Sequence, residues 1–245
     1  MDLNTVIQKV TRQLHQDGIT TSPTVDDIKI AIIDAMRFMR SQPFFFNTRR
    51  YTVNTTANDY SVPLPEDFMS LDGNVYFLRS GSPSARTILR PETVDFVETY
   101  KDSLMDYPRT LRYTGYPIAY AISEEQDYRR MLIAPTPDTS DHSVYFRYVF
   151  DVGCPRYQYN GSTYSFYLPK TDDSLTGTWT NPFLQHALDM IAYRAVYDLW
   201  SGIYGGTDEA QNKASIALGR WTEEISRLRK ERSRSRQGIS VRKYI

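Results

Sequence analysis

Four of the pairs of adjacent carboxylic acids in this chain are the residues that best match a chemical reaction. Glycoside hydrolysis uses two carboxyl groups that flank the scissile bond, one as an acid and the other as a base or nucleophile. Adjacency in sequence does not predict convergence across a cleft, and the expected helix starts and turns account for these acids locally. The pairs are Asp26-Asp27, Glu66-Asp67, Glu124-Glu125 and Asp172-Asp173.

Histidine and cysteine offer little more chemistry. His15, His142 and His186 fall on a helix, in a loop and in the first turn of a helix, and we interpret them as surface or locally satisfied residues. The only cysteine, Cys154, has no neighbour that favours a thiolate. The chain also has no H-E-x-x-H pattern, no paired-cysteine metal site and no glycine-rich nucleotide loop. We therefore predict no enzyme, no catalytic residue, no cofactor and no metal.

Composition narrows the class of protein. The 245 residues are 40% hydrophobic and 24% charged, as in globular proteins with one large or two small domains. No apolar run approaches the roughly 18–20 residues that span a bilayer, and the first residues lack the pattern of a secretory signal. We expect no membrane segment and no signal peptide. A lone cysteine fits a reducing compartment or a redox-indifferent site.

The charge of the chain is divided unevenly. Residues 227–245 hold eight cations and one anion, a net charge of +7, so residues 1–226 of this formally neutral chain carry −7. A basic segment on an acidic body predicts binding to nucleic acid, lipid or an acidic protein surface. Three interpretations remain open from the residues alone: a solvated helix end, contact with nucleic-acid phosphates, and docking to an acidic protein.

The C-terminal residues also predict the form of this segment. Arginine and serine alternate over residues 232–236 before Gln237-Gly238, which predicts that the helix ends near Arg232 and that an extended arm follows. The apolar and aromatic end of the chain is typical of insertion into a partner groove or addition to a sheet edge. The predicted docking residues are Arg232, Arg234, Arg236, Val241, Arg242, Lys243, Tyr244 and Ile245.

Three consecutive phenylalanines, Phe44, Phe45 and Phe46, follow the helix-stopping Pro43. They cannot all face one side of one element. One interpretation is a core plug between the helices and the β region, and the other is that a ring docks in a neighbouring subunit. We predict Phe44, Phe45 and Phe46 as a subunit interface. The nineteen tyrosines, which favour half-buried strands and protein interfaces, mildly favour subunit contact as well.

The elements that must position these residues change type along the chain. Apolar residues recur at helical spacing in two stretches before Pro43, with Thr24 as the N-cap of the second helix. The period becomes two from residue 51, and Asn160-Gly161 predicts a type I′ hairpin. Asn181-Pro182 starts one long apolar helix, and Thr207 caps another.

The predicted fold class is therefore α+β. Helices from both ends of the chain form a bundle, a β-rich domain is inserted between them, and a basic tail follows. The predicted divisions are 1–47 for the N-terminal helices, 48–180 for the β-rich domain, 181–232 for the C-terminal helices, and 233–245 for the tail.

Taken in order, several segments resemble the head-to-tail adaptor proteins of tailed bacteriophages, also called connector or head-completion proteins. The most specific stretches are LPEDF at residues 64–68 and PTPD at residues 135–138. The order of the segments carries the resemblance, which covers most of residues 25–230. The matching segments are residues 28–37, 43–47, 59–68, 115–120, 132–138 and 181–184.

This resemblance implies a structural virion protein at the neck of a phage, assembled in the host cytoplasm. It implies a ring, commonly of twelve copies, that binds the portal with its C-terminal segment. The ring extends the channel for double-stranded DNA, which it contacts without sequence preference, and carries downstream tail or nozzle proteins during genome retention and ejection. The alternatives are a monomeric protein that binds DNA phosphates and a tail-associated glycosidase.

Overall fold

A computed structural model describes residues 1–16, 23–81, 86–102, 115–125, 128–202 and 206–236. Within these ranges the fold is α+β, as the sequence predicts. The helices are α1 (Leu3–Gln16), α2 (Val25–Met39), α3 (Val94–Asp102), α4 (Pro182–His186), α5 (Leu188–Gly202) and α6 (Asp208–Arg236). The strands are β1 (Thr48–Asn54), β2 (Ser61–Pro63), β3 (Phe68–Leu71), β4 (Val75–Leu78), β5 (Arg86–Pro91), β6 (Ala119–Glu125), β7 (Tyr128–Ala134), β8 (Ser143–Phe150), β9 (Arg156–Tyr159) and β10 (Tyr164–Tyr167).

The chain divides into two compact units. The first comprises Met1–Asn47 together with Asp151–Ile245, and the second is the continuous segment Thr48–Phe150. The sequence predicts residues 151–180 to be part of the β-rich domain, but in the structure they belong to the same compact unit as the two chain ends. Contacts between α2 and the β9–β10 hairpin explain the difference. The Tyr157 hydroxyl donates to Asp34 at 3.0 Å, and Lys29 Nζ lies 4.8 Å from the centroid of the Phe166 ring.

α5 is the central helix of the first unit and packs against α1, α2, α4 and α6. Seven of its side chains are buried, so burial of side chains rather than helix propensity holds it in place. α2 begins with a capping box, in which Thr24 and Asp27 each bond the other's backbone N–H. The buried residues of α5 are Met190, Ile191, Ala192, Ala195, Val196, Leu199 and Trp200.

The single helix predicted after Asn181 is interrupted. Asn181 accepts a hydrogen bond from Leu184 N–H at 3.0 Å, and Pro182 occupies the first helical turn, as predicted. The helix then stops at Ala187, whose φ of −135° and ψ of 29° are not helical, and α5 starts at Leu188. The Ala187 N–H still bonds to the Phe183 carbonyl at 2.8 Å, so the break leaves this group paired.

The sheet of the second unit has the order β1-β8-β4-β5-β6-β7-β2, and β3 also pairs with β8. Only β5 and β6 pair in parallel among the described strands. Side chains alternate between the two faces of each strand. One face of β8, β4 and β5 is buried, and α3 packs on β6 and β7. The buried residues of that face include Val75, Phe77, Leu89, Val144, Phe146 and Tyr148.

The predicted hairpin around Asn160-Gly161 is present, but its turn differs. Tyr159 pairs with Tyr164, so the loop contains four residues rather than the two of a type I′ turn. Gly161 has a φ of +94°, whereas Asn160 is not in the left-handed region. The Asn160 side chain instead accepts hydrogen bonds from Ser162 N–H and Thr163 N–H, at 3.1 and 2.9 Å. The prediction of type I′ geometry is therefore wrong.

The Asn47 side chain stabilises the loop after α2 through two hydrogen bonds to backbone groups, and its replacement is expected to destabilise the fold. The side chain is fully buried; its oxygen accepts from Phe44 N–H at 2.7 Å and its amide donates to the Gln42 carbonyl at 2.9 Å. Asn47→Ala removes the partners of two backbone groups, so we expect a loss of about 2–3 kcal/mol in the free energy of unfolding, measured with urea.

The control for this measurement is Asn212→Ala, because Asn212 is exposed on α6. We expect this variant to stay within about 0.5 kcal/mol of the parent. Equal unfolding free energies for the Asn47 and Asn212 variants would contradict the structural role of Asn47.

No helix in the described part of the chain is both long and apolar enough to cross a membrane.

Candidate functional site

The acidic pairs occupy structural positions. Each pair contributes at least one carboxylate to a cap or an ion pair, which accounts for its charge without catalysis. In the described ranges no group of three or more histidine, cysteine, aspartate or glutamate side chains could hold a metal ion. The contacts are Asp27 with Thr24, Asp67 with Arg49 and Tyr148, Glu124 with Arg129, and Asp172 with Arg156.

The histidines and the cysteine also lie in structural surroundings. His15 is exposed on α1, whereas His142 is buried and its Nδ1 accepts a hydrogen bond from Ser80 N–H at 3.0 Å. Burial raises the pKa of the Cys154 thiol to about 11, helped by the nearby Asp151 carboxylate. The thiol therefore stays protonated at neutral pH, and a protonated thiol is a poor nucleophile.

The three phenylalanines predicted as a subunit interface form an aromatic cluster in the first unit. Phe44 is buried, stacks on Phe46 at 5.3 Å between ring centroids, and meets Phe183 edge-on at 6.2 Å. Phe45 meets Phe46 edge-on at 5.2 Å, and the His186 ring stacks on Phe46 at 5.5 Å. The ring of Phe44 thus lies in the chain's own core. Phe45 and Phe46 are only half-buried and remain predicted interface residues.

The C-terminal helix is longer than the sequence predicts. α6 continues to Arg236 instead of ending near Arg232, and Leu228 is the last buried residue of the helix up to residue 233. Ion pairs one turn apart stabilise the helix as far as Glu231: Arg227 lies 2.8 Å from Glu224 and 2.6 Å from Glu231. Beyond them, the Ser233 hydroxyl donates to the Arg229 carbonyl at 3.2 Å within the helix.

The same ion pairs neutralise Arg227, so the excess of positive charge starts further along the helix. Because Glu224 and Glu231 flank Arg227, the excess of cations begins with Arg229, which follows Leu228. Arg229 Nη2 donates to Gln42 Oε1 at 3.4 Å. The Gln42 carbonyl in turn accepts from Asn47, in the loop that carries the phenylalanines. The structure thus brings the start of the basic segment beside this loop.

The remaining predicted docking residues are described only in part. Arg232 is half-buried on α6. Arg234 and Arg236 lie in its last turn, and their side chains are outside the described part of the chain. The other predicted docking residues lie outside the described residues; they are Val241, Arg242, Lys243, Tyr244 and Ile245.

One surface cluster has no counterpart in the sequence analysis. The Arg194 guanidinium lies 4.4 Å from the ring centroid of Phe38 and 5.2 Å from those of Tyr197 and Trp221, while its Nε donates to Asp198 at 3.1 Å. Phe38 is 54% exposed. Its position outside the apolar stripe of α2 is the signal that identifies it, since a large apolar residue there does not face the core.

The sequence of the chain matches the model of a known protein family. A family model described as SU10 adaptor protein matches residues 1–242, which include both compact units almost in full. No curated protein matches the chain.

Proposed function

Because the chain belongs to the SU10 adaptor protein family, a family of phage head-to-tail adaptors, we propose that it forms a ring between portal and tail. The resemblance inferred from the sequence is confirmed by this membership. The family implies a structural, non-enzymatic component of the virion that associates with portal and tail proteins. The ring, its position in the neck and its copy number are our proposal, with twelve copies expected from the resemblance.

The proposed architecture is a helical bundle from both chain ends that carries an inserted β-rich domain. Two features support it. The first compact unit contains both ends of the chain, and the second is the uninterrupted segment Thr48–Phe150. In the ring, the subunits extend the channel for double-stranded DNA and provide a platform for tail or nozzle proteins, with roles in genome retention and ejection.

The observation that carries the proposal is the course of α6. This helix is anchored by buried residues as far as Leu228, residues 229–233 are exposed or half-buried, and the helix continues to Arg236. It is therefore a rigid base for a net charge of +7 over residues 227–245, attached to a body of the opposite charge. A partner that attracts the segment must be acidic. The acidic body itself disfavours wrapping of free DNA by the whole chain.

We assign the segment to the portal. The cations Arg232, Arg234, Arg236, Arg242 and Lys243 attract an acidic portal surface, and Tyr244-Ile245 insert into a portal groove. DNA in the channel is a secondary contact, made with phosphates and weakened by salt. Assembly of the ring takes place in the host cytoplasm.

Phe45 and Phe46 are the proposed subunit contacts within the aromatic loop. Both are half-buried against Phe183 or His186, so their rings are held in place before a neighbour arrives. A rigid aromatic group loses little conformational entropy on binding, which is why such residues dominate interfaces.

The test of this function is the mass of the assembled protein with and without the portal of the same phage. We expect a single high-mass species with a fixed number of copies, formed by the free protein or on the portal. Light scattering and mass spectrometry of native complexes measure it. A protein that stays monomeric with portal present, yet shifts DNA in a gel at low salt, would establish the DNA-binding alternative instead.

A further inference from the structure

The face of β1, β8, β4 and β5 opposite the buried one is open and basic. Strand alternation and register place Tyr76 beside Ile88 on β4 and β5, and Tyr76 lies 6.0 Å from Tyr145 of β8 between ring centroids. Ile88 is 55% exposed at the centre, and Arg86 and Arg90 are exposed on either side of it along β5. This surface, defined by Arg50, Tyr76, Arg86, Ile88, Arg90 and Arg147, is called the open face.

The rest of the same side of the sheet is already covered. The register runs from Arg90 to Ala119 of β6, and from Ala121 to Leu132 of β7. Val97 of α3 packs there against Ala121 and Leu132. The chain's own α3 thus covers the β6–β7 part of this side, whereas Arg50, Arg86, Ile88 and Arg90 of the open face are exposed in the described part of the chain.

The open face places two arginines opposite each other on neighbouring strands. Arg50 and Arg147 are register partners on β1 and β8, and like charges directly opposite each other destabilise an antiparallel pair. The Asp72 carboxylate offsets part of the charge of Arg147, since its Oδ2 lies 3.8 Å from Arg147 Nε. Arg50, Arg86 and Arg90 form no salt bridge with any described residue. An anionic partner relieves this repulsion.

The exposed side of α3 has the complementary character. Phe96 is 44% exposed, and Asp95 and Thr99 lie on the same stripe of the helix, one residue before and three residues after it. Glu92 is exposed just before the helix and is three residues from Asp95. The exposed side of α3, an apolar ring beside two carboxylates, is therefore complementary to the open face, which has an apolar centre flanked by arginines.

We propose that the open face of one copy binds the exposed side of α3 in a second copy, through Ile88 and Phe96 and through pairing of arginines with Glu92 and Asp95. An apolar centre with an arginine rim is the composition of protein interfaces. In the proposed ring this contact is heterologous, with the open face of each copy meeting α3 of the next, and such a contact closes a ring when the rotation between copies allows it. The inference rests on the proposed ring and names one of its contacts.

The experiment exchanges the charges on the two surfaces of the full chain. The face variant is Arg86→Glu with Arg90→Glu, and the helix variant is Glu92→Arg with Asp95→Arg. Each variant alone presents like charges on both surfaces, so we expect neither to reach the mass of the wild-type assembly, alone or on the portal. In an equimolar mixture each surface meets an oppositely charged one, and we expect assembly to return.

Circular dichroism checks that each variant is folded, and the single substitutions Arg86→Glu and Asp95→Arg replace any double variant that is not. A specificity control mixes the helix variant with Arg12→Glu, Arg220→Glu, which carries the same charge change on exposed residues of the first unit. We expect no recovery of ring mass in this mixture.

Several outcomes would overturn the contact while leaving the ring intact as a proposal. Either variant alone could reach the mass of the wild-type assembly. Mixing the two folded variants could fail to restore that mass, or the mixture with the control variant could restore it equally well. Loss of only a tail protein or of DNA binding from the face variant, with ring mass unchanged, would also reassign the open face. If the wild type itself stays monomeric on the portal, the proposed ring fails instead.

Discussion

Truncation after Arg232 is expected to leave a folded protein that no longer binds the portal. The buried Leu228 and the ion pairs of Arg227 with Glu224 and Glu231 remain in the shortened chain. Stability should therefore change by less than about 0.5 kcal/mol. The truncation removes four cations and the apolar end of the chain, so we expect portal binding in a pull-down or by calorimetry to be abolished.

Two matched variants separate the parts of this segment. Truncation after Arg236 keeps the whole of α6 and removes only the end of the chain. The full-length variant Arg234→Gln, Arg236→Gln keeps the end and removes two cations. We expect the first to lose binding at all salt concentrations and the second to weaken it mainly at low salt, where charge attraction is least screened. Unchanged portal affinity after truncation at Arg232 would remove the segment from the docking site.

Phe44→Ala is expected to destabilise the fold by about 3–5 kcal/mol, the usual cost of removing a buried phenylalanine ring. The ring is 1% exposed and contacts both Phe46 and Phe183, so its loss leaves a cavity between the loop after α2 and the start of α4. Urea unfolding measures the change, and Phe44→Leu, which keeps most of the volume, should cost less.

The neighbouring ring supplies the control that distinguishes core from interface. Phe45 is half-buried, so we expect Phe45→Ala to cost clearly less unfolding free energy than Phe44→Ala but to lower the yield of assembled rings. If Phe45→Ala assembles like the parent while destabilising the fold as much as Phe44→Ala, both rings belong to the core and the interface lies elsewhere.

Local signals explain what could be predicted from the sequence. The caps at Thr24, Asn181 and Thr207 are formed by side chains that bond backbone groups three residues away, so neighbouring residues suffice to identify them. The pairing of β6 with β7 was likewise predictable, because two alternating segments are separated by a short connection.

Long-range packing explains what could not be predicted. β3, which no sequence pattern identified, is a strand because it pairs with β8, some eighty residues further along the chain. The break at Ala187 leaves the helical pattern of the residues intact, so apolar spacing alone predicts one helix. The predicted end of α6 was too early because alternating arginine and serine suggested a coil, whereas the helix, which ion pairs stabilise as far as Glu231, continues to Arg236.

The candidate sites divide in the same way. The phenylalanine loop and the basic segment are continuous in sequence and could be found by inspection. The open face collects Arg50, Arg86, Arg90 and Arg147 from three strands, and only the register of the sheet places them together. Scattered arginines carry no recognisable spacing, so this surface requires the structure.

The pairing of β1 with β8 has a consequence for how the chain can vary. Thr48 and Val149 are register partners, so the second unit begins and ends on adjacent strands. Partners in an antiparallel pair have Cα atoms only about 4.5–5.5 Å apart. The two ends of the second unit therefore lie side by side. Residues can be added to or removed from the interior of this unit without changing the distance between its two ends.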